Sequence, residues 1–476
     1  MAVARLRFLD KDEEELIHRK SIECLETIGV KVKSPTVLDM LGDAGASVDA
    51  KRQVALIPES MVREALRTVP KEMTLHGREK RHDMHIPVSS WPYCGTTGLG
   101  TYTIDIETGQ RRDSTVKDIA NCVKVADALE GVDYVQTSLT ATEVSPLTHG
   151  LHELWTAFKN TTKHVQGVEI FNAEDARAQI ELGALIAGGA EELRMKPRFT
   201  VIHCSIAPLM FERDAVEPMV ELAKAGVPIT TMSMSLSGGT APVTMAGTLV
   251  NANSENLASY VIGQAASKGA RTIYCSSSTP VNMMTGMIFY ESVNQPLIAA
   301  GLAQMASRYG VPCMVGDWGV NDTEEPGVPH TLSETMGIAL STMTGTDMQG
   351  GIGTLDNAKG VALEQQVIDA YIWENVRRQM TPFEISEATA ALDVIRQVGH
   401  GNTFLRHMHT VRNFKKELIF RDQQKRGWQA TLSTSMVPEA KAIAKKVLSE
   451  HIVPDVDQEV ARNGDAIVAA HIRTLG

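Results

Sequence analysis

Short apolar or β-branched runs recur along the middle of the chain, at 134–139, 165–170, 199–206, 229–234, 272–276, 313–317 and 348–352. Between them lie segments with apolar residues at helical spacing, among them 173–186, 216–225, 255–267 and 296–309. Continuous apolar runs are what parallel strands buried on both faces look like, and each is followed by a helix-length segment. Strand starts recur every roughly 32–43 residues, the length of one unit in a (β/α)8 barrel. Gly226-Val227-Pro228 and Gly310-Val311-Pro312 end two helices and lead into strands. The pattern predicts an α/β fold, a TIM barrel with seven strands visible and one missed or irregular. An open doubly wound sheet is the alternative.

The flanks have a different texture. Residues 1–130 read as a mixed N-terminal extension of helices and a hairpin. A helix over 12–28 has apolar Leu16, Ile22, Leu25 and Ile28 and ends at Gly29. Short helices follow at 36–42 and 58–68, then a hairpin from 73–75 and 84–86, then Gly- and Thr-rich strands within 91–112. Thr115, with Asp118 three residues on, opens another helix. The barrel takes 131–380, and 381–476 reads as C-terminal helices, the last two at 439–448 and 456–475.

Composition narrows the partners. The formal net charge is −11 and no basic run stands out, which argues against nucleic acid and anionic membrane. No apolar run approaches the ~18 residues of a spanning helix, and the N-terminus lacks an apolar signal core. The six cysteines form no CxxC pair, so reduced thiols and a cytoplasmic location are expected. The 22 methionines against few aromatics suit walls that adapt to an irregular ligand, although most fill the core.

A barrel's active site lies at the C-terminal ends of its strands. Those ends carry Glu143, Glu169, His203-Cys204-Ser205, Ser237-Gly238-Gly239-Thr240, Ser276-Ser277-Ser278, Asp317-Trp318 and Gln349-Gly350-Gly351. Small polar residues dominate, as in a wide mouth for a large ligand. His203 and Cys204 are adjacent on one strand and point to opposite faces, so no metal site is expected. There is no GxSxG elbow and no SxxK. Gly238-Gly239 could hold a phosphate, yet no Lys or Arg lies near it in sequence. The acids Asp317, Glu143 and Glu169, with Trp318, Tyr93, Phe289 and Tyr290, make the surroundings that a small organic cation wants. Each acid could equally cap a helix or pair with a cation.

Two longer stretches carry a family resemblance. They are GGTAPVTMAGTLV followed by NANSENLASYVIG, and TIDIETGQRRDSTVKDIANCVKVADALEGVDYV with its D-x-E-T-G-x-x-R and T-x-x-D elements. Together they resemble the signature of the trimethylamine methyltransferase superfamily, from about residue 5 to the C-terminus. The resemblance implies a (β/α)8 barrel that moves a methyl group from a methylamine to the cobalt(I) of a cobalamin on a separate corrinoid protein. The founding members carry pyrrolysine in the mouth. Every residue here is standard, including 316–334, so the chain resembles the non-pyrrolysine members, such as glycine betaine methyltransferases. Many members carry His-Asp where this chain has Gly350-Gly351, and an SDSK-like stretch where it has Asn321-Asp322-Thr323-Glu324.

The roles expected from this resemblance are specific. Asp317 and Glu143 balance the cation. Trp318 and Tyr93 supply ring faces, with Glu169, His203, Phe289, Tyr290 and Gln349 around the substrate. Gly238, Gly239, Thr240, Gly350, Gly351, Met234 and Ser278 meet the corrin. The partners expected are a small cationic methylamine, a cognate corrinoid protein and further copies of the chain. Two other functions stay open: a non-catalytic barrel that binds a corrinoid or an amine, and a barrel enzyme acting on a pterin or phosphorylated substrate.

Overall fold

Eight parallel strands close into a barrel and follow chain order round the ring: β1 (Tyr93–Thr96), β2 (Tyr134–Gln136), β3 (His164–Gly167), β4 (Phe199–Cys204), β5 (Ile229–Ser233), β6 (Thr272–Ser276), β7 (Cys313–Asp317) and β8 (Met348–Ile352). The computed structural model describes residues 6–320, 322–327, 337–379, 383–417 and 436–475. The seven expected runs are β2 to β8. The missing strand is β1, inside the stretch assigned to the extension, so the barrel opens at Tyr93 and not at residue 131. Its four residues, YCGT, carry little apolar surface. Gly95 has no room for a side chain because the ring of Tyr134 lies against its backbone. A strand of that composition leaves no hydrophobic run to find.

Among the described residues the helices of twelve or more residues are α1 (Lys11–Thr27), α2 (Val116–Ala128), α3 (His149–Asn160), α4 (Ala173–Ala187), α5 (Arg213–Ala225), α6 (Met245–Ala266), α7 (Gln295–Tyr309), α8 (Leu363–Gln379), α9 (Met436–Glu450) and α10 (Gln458–Leu475), and the shorter ones include Pro35–Asp43 and Glu59–Thr68. α1 buries Ile17, Ser21, Ile22 and Leu25, while Leu16 and Ile28 are exposed. That face packs on α6. α6 begins ten residues before the position expected from its apolar spacing, because buried polar residues (Thr248, Asn251, Asn253, Ser254) interrupt the apolar pattern of its first half. Buried polar side chains must find partners. Asn253 bonds Ser21, Tyr309 and Tyr274, and Asn256 bonds Thr231 and the backbone of Cys275. α9 packs on α8, and α10 on α4.

The expected hairpin, Met73–Leu75 with Met84–Ile86, forms and plugs the N-terminal end of the barrel. Met73, Leu75, Met84 and Ile86 pack there with Tyr134, Ile273, Cys275, Met314 and Met348. Among the described residues the hairpin thereby covers the lower end of the lumen. Among the described residues no helix is long and apolar enough to cross a membrane.

Candidate active site

The D-x-E-T-G-x-x-R element folds as a structural staple. Asp105 accepts from the backbone of Glu107 and Thr108, the Thr108 hydroxyl and Arg112. Those bonds hold its carboxyl far below the usual range. Arg112 also clamps Asp118 with two bonds of 2.7 and 2.8 Å, and Thr115 with Asp118 completes a capping box on α2. A cleft of about 670 Å3 opens beside this hairpin, towards Leu363 and Leu448. Of the charges that line it, Asp105 and Asp118 pair with Arg112, and Glu107 pairs with Lys445.

Strand alternation decides most of the predicted site. His203 turns outward into the strand–helix layer, stacked on Phe211 at 6.1 Å, and burial pushes its pKa down to about 4. Its neighbour Cys204 takes the inner face. Gln349 also turns outward and donates to Ser341 and Thr342. Trp318 is 4 % exposed and stacks on Trp373 of α8 at 6.2 Å, so helix packing takes the ring expected to face the substrate. Tyr93 is the first residue of β1 and lies at the plugged end, where its hydroxyl accepts from His85 N–H. None of these four reaches the mouth.

Others stand at the mouth in different roles. Glu143 is exposed and accepts from Val116 N–H at 2.8 Å, so it holds the start of α2. Gly238 and Gly239 lie exposed on a turn whose N–H groups, with that of Thr240, already bond to Ala241 and Leu236 carbonyls. They form no free anion cradle. Ser278 is buried, bonding Ser235 N–H and Ser276. Phe289 and Tyr290 sit on the loop after β6, half-buried, with Tyr290 bonded to Ser277. Gly350 pairs in register with Asp317, which ends β7; the Asp317 side chain lies outside the described residues. Of the stretch compared with the pyrrolysine neighbourhood, Asn321 and 328–334 also lie outside them.

The upper lumen is lined in part by two glutamines that no motif marked. Gln136 and Gln166 are neighbours in register on β2 and β3 and point inward, 4 % and 0 % exposed. Gln166 donates to Thr230 and Gln136 to the Gly98 carbonyl, while the Oε1 of each accepts no hydrogen bond from the described residues. Cys204, Met232 and Met234, partly exposed, continue the wall upward. Glu169 stands past the end of β3, its Oε2 3.8 Å from His149 Nδ1, and burial raises its pKa. Behind it, Glu153 of α3 is buried near Thr137. Burial, and then the charge of Glu169, raise its pKa to about 8, so it is protonated at neutral pH. The rim above is apolar: Leu99, Phe171, Ile206, Val243, Met283 and Met284 are exposed on the loops after β1, β3, β4, β5 and β6.

Glu255, in the NANSENLASYVIG stretch, fixes this end of the barrel. It is fully buried and accepts from Ser205, Ser233, Leu209 N–H and Asn251 at 2.7–2.9 Å. It therefore joins the tips of β4 and β5. An acid inside a buried helix is its only mark in the sequence. Among the described residues no group of three metal-ligating side chains comes together.

Comparison with known proteins agrees with this architecture. The family model described as trimethylamine methyltransferase matches residues 1–476. The chain is 30% identical over 469 residues to a trimethylamine methyltransferase of Methanosarcina barkeri, covering 97% of this chain and 94% of that one. It is 26% identical to a glycine betaine methyltransferase of Desulfitobacterium hafniense, covering 99% and 98%. The crystal structure of the Methanosarcina barkeri monomethylamine methyltransferase superposes with a TM-score of 0.55 at 15% identity, covering 93% and 90% of the two chains, which shows the shared fold. With a full-length family match, a close relative along the whole chain and the same closed barrel, the chain belongs to the trimethylamine methyltransferase family.

Proposed function

We infer that the protein demethylates a quaternary or tertiary amine of the glycine betaine kind and delivers the methyl group to the cobalt(I) of a corrinoid carried by a separate cognate protein. The observation that carries this reading is the pair of inward carbonyl oxygens of Gln136 and Gln166 in the upper lumen, with Glu169 past the end of β3 and exposed apolar side chains on the loops above. A quaternary ammonium has no N–H to donate and spreads its charge over its methyl groups, so acceptor oxygens and soft walls suit it. Cys204, Met232 and Met234 form such walls. Glu169 at the rim, and Asp317 at the tip of β7, balance the charge. The betaine class is supported by the full-length similarity to a glycine betaine methyltransferase.

The exposed apolar side chains of the rim support a corrin there. Gly238 and Gly239 are exposed there, with Val243 and Met283 packed beside Gly238, so a flat macrocycle meets few projecting polar groups. When bound, the corrinoid supplies the nucleophile that accepts the methyl group. The chain holds the N–CH3 bond towards the opening, and the hairpin plug keeps water from entering below. From a quaternary ammonium the leaving amine departs neutral, so no general acid is required; a tertiary amine meets the same balance when it enters as its protonated ammonium, which also leaves as a neutral amine.

Incubation with cob(I)alamin and a panel of quaternary and tertiary amines tests this. We expect cob(I)alamin absorbance to be lost together with appearance of the demethylated amine, and Asp317→Asn to slow both while remaining folded. Cobalamin binding without demethylation would favour the non-catalytic reading. Turnover only of a phosphorylated or pterin substrate would favour the third.

A further inference from the structure

Behind the mouth, three acids are buried in one layer. Glu153 of α3 is 1 % exposed, Asp175 of α4 is 2 % exposed, and Glu169 stands past the end of β3 with its Oε2 covered. Gly150, three residues before Glu153, has no room for a side chain because the Glu169 carbonyl lies against it. Residues three apart share one helix face, so Glu153 lies on the face that Glu169 covers. Gln179 ties the layer together by donating to the Glu169 carbonyl and to Asp175. Thr137 Oγ1, 3.5 Å from Glu153 Oε2, links it to the end of β2, next to Gln136.

The charges that bear most on Glu153 are those of Glu169 and Asp175, both negative when ionised. The imidazoles stand beside those acids: His149 lies 3.8 Å from Glu169, and His471 of α10 lies 3.5 Å from Asp175. The charges acting on His152, also on α3, are those of His149, Glu143 and Lys159. On α2, which packs against α3, Asp118 is clamped by Arg112 and Lys124 donates to the Leu448 carbonyl. Lys159, further along α3, pairs with Asp465 of α10. Among the described residues nothing donates to Glu153 Oε1. A carboxyl so placed keeps its proton, because ionising it would set a second negative charge behind Glu169.

We propose that Glu153 is a proton-coupled positioning residue: an organic cation that seats beside Glu169 drives the Glu153 proton into solvent, so that two carboxylates hold the cation. This rests on the reading of the mouth as the seat of an ammonium donor. The O–H bond of the carboxyl breaks, its electron pair stays on the oxygen, and the proton goes to bulk water. Loss of the methyl group leaves a neutral amine, the two carboxylates again repel each other, and Glu153 takes back a proton. The site thereby tightens on the charged donor and relaxes on its neutral product.

Calorimetric titration with glycine betaine and with tetramethylammonium, repeated in buffers of different ionisation enthalpy, counts the protons released. At pH 7 the wild type should release most of one proton per cation bound. Affinity should rise about tenfold from pH 6 to about 8, where Glu153 of the free protein ionises, and then level off. Dimethylbutanoate branched as the carbon isostere of glycine betaine, which lacks the positive charge, should release none. Glu153→Gln should bind both cations with no proton release and with level affinity over that range. Infrared difference spectra should show one protonated-carboxyl band lost on binding in the wild type and no such loss in Glu153→Gln, a signature that a merely structural role would not give. Failure of both cations to bind would sink the reading of the mouth together with the coupling. Binding without proton release, or release that persists in Glu153→Gln, would overturn the coupling alone and leave that reading standing.

Discussion

Gly319, just past β7, and Gly351 of β8 cross in direct backbone contact, with no room for a Cβ on either. Gly351 also has φ +141°, a conformation that L side chains rarely adopt. The glycine expected to admit a corrin is thus required by the strands themselves. Gly351→Ala should destabilise the protein by about 2–4 kcal/mol. A melting temperature within a degree of wild type would refute this reading.

Glu255 joins two strand tips through four accepted hydrogen bonds. Removing it leaves buried donors at Ser205, Ser233, Asn251 and Leu209 without their acceptor. Glu255→Ala should cost about 3–5 kcal/mol, and Glu255→Gln less, in denaturant unfolding. Equal stability of the two variants would show that the cost comes from lost packing.

Glu153 makes stability depend on alkaline pH. In the unfolded chain it ionises near its ordinary value of 4.5, whereas folded it keeps its proton to about 8. The stability it contributes is complete below 4.5 and is lost as pH rises through 8. Glu153→Gln should therefore gain on wild type between pH 4.5 and 8, by on the order of 4 kcal/mol at the top of that window, then level off. Thermal melts of both proteins across this range decide it; parallel curves would refute the assignment.

His203 works in the opposite sense. The unfolded imidazole takes a proton near 6.5 and the buried one only near 4, so stability falls as pH drops through that interval. His203→Phe keeps a ring against Phe211 and should be more resistant to acid, by about 2 kcal/mol at pH 5. Methyl transfer should be retained, because the ring faces away from the lumen. Loss of turnover in a folded variant would restore the role expected from sequence.

Gln166 tests the seat of the substrate. Gln166→Leu removes an inward oxygen and the bond to Thr230 while preserving volume. KM for the methyl donor should rise about tenfold with little change in melting temperature. Unchanged KM would move the seat out of the lumen.

Much of the architecture was visible along the chain because strand–helix alternation is a local property. The runs over β2 to β8, the capping box at Thr115 and Asp118, and the plugging hairpin all follow from residues close in sequence. β1 was hidden for a physical reason: its glycine makes way for Tyr134, so the strand has little hydrophobic pattern. The site was less legible. Being at a strand end does not say which way a side chain faces, and His203, Gln349 and Trp318 all turn into the helix layer.

The sequence by itself determined the barrel, its family and the absence of any motif for metal or nucleophilic chemistry. Only the tertiary structure decided which polar groups share the lumen. Gln136 and Gln166 meet because β2 and β3 pair in one register, and Glu255 gathers donors from β4, β5 and the loop between them. Those are distances between segments far apart in the chain, set by barrel closure and side-chain alternation, and no local pattern encodes them.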